Sequence, residues 1–137
     1  MNKEQEFISY EQALSLRDIG FDEPCLGYFD TEGLKVSYDR YQNPENRNSL
    51  FPEPDTTNNP KVSAPLYQQT FQWFREKHGY NCFVVSNDVG KFYYYRENLH
   101  NRKDDSEPEL TPKFDTYYEA QIACVDKLIQ LISEKKN

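Results

Sequence analysis

Residues 116–134, TYYEAQIACVDKLIQLISE, limit what this chain can become more than any other stretch. Thr116-Tyr117-Tyr118-Glu119 is a T-x-x-E capping box, in which the threonine hydroxyl accepts from an orphan helix N–H and the glutamate reaches back to the cap. No Gly or Pro interrupts the residues from Ala120 to Glu134. Apolar side chains at Tyr117, Tyr118, Ala120, Ile122, Ala123, Cys124, Val125, Leu128, Ile129, Leu131 and Ile132 leave the polar residues a narrower stripe. A helix apolar over so much of its circumference is not a one-sided surface helix. It must lie in a groove between other elements, or pack on a sheet and a second subunit. The second arrangement permits a homodimer through residues 116–134.

Upstream, Ser9-Tyr10-Glu11-Gln12 is a second capping box, opening a short helix through Ala13, Leu14, Leu16 and Ile19. Gly20 stands at the position that ends a helix, and Phe21 can fold back on Leu16 in a Schellman ending. Residues 25–30 and 34–38 then read as a hairpin around Thr31-Glu32-Gly33, with Gly27 marking a bulge or a close backbone approach. A second round comes after it. Pro65 opens a helix through His78 with a wide aromatic stripe, Gly79 ends it, and residues 82–86 and 91–96 form another hairpin. The expected fold is α+β in the order αββ-αββ-α. The two hairpins would join into a four-stranded, mainly antiparallel sheet with the helices packed on one face. Residues 1–137 read as a single domain. Residues 39–63, with four prolines and five asparagines in twenty-five positions, read as a long irregular loop anchored only by Leu50 and Phe51.

Composition narrows the function classes. Hydrophobic content is only 36%, yet eleven Tyr and nine Phe supply large areas to bury. The net charge of −7 resides wholly in the first part of the chain: residues 1–60 carry five Lys/Arg against twelve Asp/Glu, and residues 61–137 carry eleven of each. That layout excludes a uniformly basic nucleic-acid binder. It suits solubility, or a basic partner surface. No run approaches the length of a membrane span, and MNKEQEFISY lacks the apolar core of a signal peptide. Cys25, Cys82 and Cys124 are far apart and odd in number, so reduced thiols in a cytoplasmic protein are expected.

No chemistry-bearing constellation stands out. His78 and Cys82 are spaced H-x₃-C, but neither a third metal ligand nor a group to orient a catalytic base accompanies them. The pairs Asp22-Glu23 and Asp104-Asp105 fall in polar loops, where nothing shifts a carboxylate toward acid–base work. The glycines are dispersed and form no phosphate cradle. No catalytic residue, metal or cofactor is therefore assigned. The unusual stretch is Lys91-Phe92-Tyr93-Tyr94-Tyr95-Arg96. Strand alternation puts Tyr93 and Tyr95 on one face, and His100, Arg102 and Lys103 come soon after. Exposed aromatics beside cations either anchor a protein partner or stack on single-stranded bases.

The blocks SYEQALSLRDIGFDEPCLGYFD, APLYQQTFQWFREKHGY and TYYEAQIACVDKLIQLI resemble those of a family of small uncharacterised proteins associated with prophages and Bacteroidetes-type genomes. The resemblance implies no activity. It implies a context, a small phage-derived bacterial protein, and with it an inhibitor of host machinery akin to anti-CRISPR proteins. Such an inhibitor would occlude a basic, nucleic-acid-handling effector protein or ribonucleoprotein. Asp22, Glu23, Asp30 and Glu32 would supply charge, and Tyr93, Tyr95 and Arg96 would anchor. The alternative is a single-stranded RNA-binding module using Tyr93, Tyr95, Arg96, Arg102 and Lys103; a small enzyme of unknown type comes third.

Overall fold

The computed structural model describes residues 6–36, 48, 61–86, 89–98 and 113–136. The chain forms two compact units, Met1–Tyr67 and Gln68–Asn137. The order of elements is α1 (Tyr10–Asp18), β1 (Gly27–Asp30), β2 (Gly33–Val36), β3 (Val62–Ala64), α2 (Tyr67–Trp73) running on into a π-helical segment (Phe74–His78), β4 (Tyr80–Ser86), β5 (Phe92–Asn98) and α3 (Tyr117–Lys136). The class is α+β, but a single four-stranded sheet does not form. The strands make an antiparallel three-stranded sheet in the order β2-β1-β3 and a separate antiparallel pair β4-β5. The strand that alters the expected partition is β3. Val62 and Ser63 come from the stretch read as irregular, and they fill the side of β1 opposite β2.

In the first unit the local signals act as expected. Ser9 Oγ accepts the Gln12 N–H and Gln12 Oε1 accepts the Ser9 N–H, which closes the capping box. Gln12 is buried, and the same oxygen accepts the Tyr67 hydroxyl at 3.0 Å. At the other end Gly20 adopts φ 100°, the Phe21 N–H donates to Leu16 O and the Gly20 N–H donates to Arg17 O. This is the Schellman pair of bonds, with Phe21 and Leu16 both buried. Gly27 marks a close approach: a Cβ there would sit 2.7 Å from the Phe7 ring and 2.9 Å from Ala64 O. The second helix starts at Tyr67 rather than Pro65. Pro65 O is engaged by the Ile8 N–H, and Leu66 forms a bridge with Phe7.

A polar residue anchors the region that showed no pattern. Asn48 is buried and makes three hydrogen bonds. Its N–H donates to Ser63 Oγ, its Oδ1 accepts the Ser63 N–H at 3.0 Å, and its Nδ2 donates to Phe21 O at 2.9 Å. One side chain thereby closes the outer edge of β3 and ties it to the end of α1. Leu50 and Phe51 lie outside the described residues.

In the second unit α3 packs on β4 and β5. Its buried residues, Ala120, Gln121, Cys124, Val125, Leu128, Ile129 and Ile132, recur at helical spacing, and Ile122, Ala123 and Leu131 beside them are half-buried. The Thr116 cap is in place, its hydroxyl accepting the Glu119 N–H at 3.0 Å. The π-helical segment brings residues five apart onto one line. The His78 ring meets Trp73 at 4.8 Å and Phe74 at 6.0 Å.

The cysteines depart from expectation. Cys82 and Cys124 are joined as a disulfide, and Cys25 is free and buried, its thiol donating to Glu23 O. The pairing arises because Cys82 falls on the strand face that meets α3 and Cys124 falls on the helix face that meets the strand. Their separation of 42 residues carries no signature of this. The cross-link also removes the argument for a reducing compartment that three separate thiols would carry.

The Asn48 anchor and the cross-link are each open to measurement. Asn48→Ala leaves the Ser63 N–H and Phe21 C=O without their buried partner, and chemical denaturation should show a loss of about 2–4 kcal/mol. Denatured without reductant, the protein should titrate as one thiol, rising to three after reduction; three from the outset would contradict the cross-link.

Candidate binding interface

The second sheet has an inner and an outer face, and its register decides which side chains share each. The ladder pairs Cys82 with Arg96, Phe83 with Tyr95, Val84 with Tyr94, Val85 with Tyr93 and Ser86 with Phe92. Directly opposed residues of an antiparallel pair lie on one face. Cys82 is bonded to α3 and the Phe92 ring lies edge-on to Tyr117 at 6.0 Å, so the set Cys82, Val84, Phe92 and Tyr94 faces the helix. Tyr80, Cys82 and Tyr94 are correspondingly buried. The alternate set faces outward: Phe83 and Val85 on β4, Tyr93 on β5, with Tyr95 at the register position opposite Phe83.

This outward face carries exposed apolar surface. Phe83 is 44% exposed, and Val85 and Tyr93 are half-buried. Val89, near the turn of the same hairpin, is 76% exposed. Phe83 and Val89 are two of the four large hydrophobic residues that stand exposed among those described; the others, Tyr10 and Leu26, belong to the first unit. The outward Phe83, Val85 and Tyr93 on paired strands have the character of a contact surface.

The expected site residues separate into two groups. Tyr93 is on the outer face, and Tyr95 shares its alternation. Arg96 holds the opposite parity, paired with Cys82. Arg102 and Lys103 lie outside the described residues, as do His100, Asp104 and Asp105. Lys91 is ion-paired with Asp115. Asp22, Glu23, Asp30 and Glu32 are all in the first unit. Asp22 and Glu23 precede β1, whereas Asp30 and Glu32 lie at and beyond its far end. The last two have local duties: Asp30 Oδ1 accepts the Glu32 N–H at 2.8 Å to shape the hairpin turn, and the Glu32 carboxylate pairs with Lys35 at 3.1 Å. That hydrogen bond and charge raise the Lys35 ammonium above its usual range. Both partners are exposed, so the pair adds little to stability.

Of the H-x₃-C pair, Cys82 is joined to Cys124, and the His78 ring packs against Trp73 and Phe74. Among the described residues no group of three or more His, Cys, Asp or Glu could hold a metal ion. None of their helices is long and apolar enough to cross a membrane.

Phe83 and Val85 had no mark in the sequence beyond belonging to an apolar strand. Their role depends on the five residues, 87–91, that separate Ser86 from Phe92. A four-residue connection would shift the pairing by one and set Phe83 opposite Tyr94. The register is reinforced at Phe92, which exchanges both backbone bonds with Phe114 at 2.8 and 2.7 Å, and beside it by the Lys91–Asp115 ion pair.

The chain matches no known protein-family model, no curated protein and no solved structure.

The Lys91 hydrogen bond and charge hold the Asp115 carboxyl below the usual carboxylate range. A group so depressed favours the folded state above its unfolded pKa, and the contribution is lost as pH falls through the folded value. The pair is exposed, so the effect should shrink with added salt. Carboxyl NMR titration should find Asp115 titrating low, and Lys91→Ala should return it to the ordinary range.

Proposed function

We propose that this chain is a non-enzymatic binding protein that inhibits bacterial host machinery, with the outward face of the β4–β5 hairpin as its anchor. The observation that carries this reading is Phe83, 44% exposed on a face it shares with Val85 and Tyr93. Large rigid aromatics on a sheet face bury much area at low entropic cost, and such residues dominate protein interfaces. The acidity of residues 1–60 would steer the chain toward a basic, nucleic-acid-handling effector, changing the association rate more than the final affinity. The inhibitory, anti-CRISPR-like role rests on the resemblance of the three sequence blocks to prophage proteins, and that resemblance would place its action in the cytoplasm of a bacterial host.

A protein target is favoured over RNA by the placing of the cations. A single-strand platform needs basic groups beside its stacking rings. Among the described residues, Lys91 is engaged by Asp115, and Arg96 holds the register position paired with Cys82, alternate to that of Tyr93.

Affinity capture from a bacterial lysate containing defence effectors, with and without RNase, tests the proposal. A stoichiometric protein partner should survive RNase and be lost with Phe83→Ser plus Tyr93→Ser. Reversal of Asp22 and Glu23 to Lys should slow association several-fold while leaving dissociation nearly unchanged. RNA captured alone, and lost on Tyr93→Ala with Tyr95→Ala, would replace this reading with the RNA-binding one.

A further inference from the structure

The hydrogen-bonding phase of the second sheet can be deduced from one residue. Phe92 directs both its N–H and its C=O to Phe114, away from β4. In an antiparallel ladder, residues alternate between bonding one neighbour and bonding the other side. The Ser86–Phe92 pair is therefore a non-bonded one. Counting back, Val85–Tyr93, Phe83–Tyr95 and Asn81–Glu97 exchange the ladder bonds. Cys82 and Val84 consequently point their N–H and C=O groups away from β5. β4 pairs with no other strand among the described residues. Neither Cys82 nor Val84 has another backbone partner among them.

Such an edge is usually closed. In the first unit Asn48 covers β3, and here Phe114 covers the far side of β5. Proteins otherwise blunt an edge with a charge, a proline or a bulge. β4, YNCFVVS, has no charged residue and no proline. Instead a groove of about 440 Å³ runs along it. The wall opposite is polar, formed by Gln68, Gln72 and Arg75 from successive turns of the second helix. Phe71 and Tyr117 add apolar surface. Gln72 holds the nearby Glu76 carboxylate through its Nε2 at 3.0 Å, and Arg75 has no carboxylate partner among the described residues.

We infer that this groove takes an extended, acidic peptide segment of another protein, which adds to β4 as a third strand. The backbone of Cys82 and Val84 would supply the ladder bonds. Alternate peptide side chains would enter between Phe71 and Tyr117, and an aspartate or glutamate would meet Arg75. This site goes beyond the aromatic face proposed above, because it uses the backbone edge of β4 rather than the outward side chains of Val85 and Tyr93; Phe83 borders both.

A displayed library of random peptides, selected on the full chain, tests the inference. Recovered peptides should alternate β-branched or aromatic residues with polar ones and carry a recurrent acidic position. Val84→Pro removes an edge donor without touching the β4–β5 ladder and should weaken a recovered peptide at least tenfold. Arg75→Glu should weaken it severalfold, and Tyr93→Ser should leave it unchanged, which separates this site from the aromatic face. Should Val84→Pro fail to fold, methylating alternate backbone nitrogens of the peptide performs the same subtraction on the ligand. Loss of binding in only one of the two methylation phases supports strand addition, and indifference to both overturns it. Absence of any enriched pattern would also overturn it. So would a stable dimer of the wild-type chain that Val84→Pro dissociates, since the edge would then belong to a second copy.

Discussion

Phe92 gives both of its backbone groups to Phe114, and the second sheet takes its phase from that exchange. Once those two bonds form, β5 can bond β4 only through the alternate residues. The register places Phe83 across from Tyr95 and sets Cys82 and Tyr94 toward α3. The same phase leaves Cys82 and Val84 as the outward-bonding residues of β4. A shift by one residue would turn the aromatic face inward and bring the buried set to the surface. The Lys91–Asp115 pair beside the bridge is exposed and adds little energy, but it favours the one register in which its charges meet.

The two units treat the same problem differently. The first has a short edge strand, β3, whose Ser63 is buried with its N–H turned away from β1. Asn48 supplies the acceptor and carries the constraint on to Phe21, so the helix end and the strand edge are fixed together. A buried amide with three satisfied bonds specifies one arrangement, because any other leaves polar groups stranded. In the second unit the longer strand β4 is braced from one side by β5 and from its inner face by α3, with the Cys82–Cys124 link between them. Its remaining edge is left to a groove with a polar wall.

What could be read from the sequence was local. The capping box at Ser9, the Thr116 hydroxyl cap, the Schellman ending at Gly20-Phe21 and the close approach at Gly27 depend on residues a few positions apart, and each is realised. The partition of strands was not legible. β3 is three residues long, has no alternation to reveal it and emerges from a polar stretch. Asn48 was one of five asparagines in that stretch, and only its fifteen-residue reach to Ser63 and longer reach to Phe21 set it apart. Of the binding surface, the tyrosine alternation was visible, whereas Phe83 required the register and the groove required the tertiary fold. Asp30 and Glu32 looked like partner-facing charge because a turn's internal hydrogen bonds leave no trace in composition.

The phase of the β4–β5 ladder is open to direct measurement by amide hydrogen exchange resolved to single residues. The N–H groups of Asn81, Phe83 and Val85 should be protected by β5, and those of Cys82 and Val84 should exchange much faster. The reverse pattern, with Cys82 and Val84 protected and Phe83 and Val85 fast, would contradict the register. It would pass the open edge from Cys82 and Val84 to Phe83 and Val85 and turn the aromatic face inward.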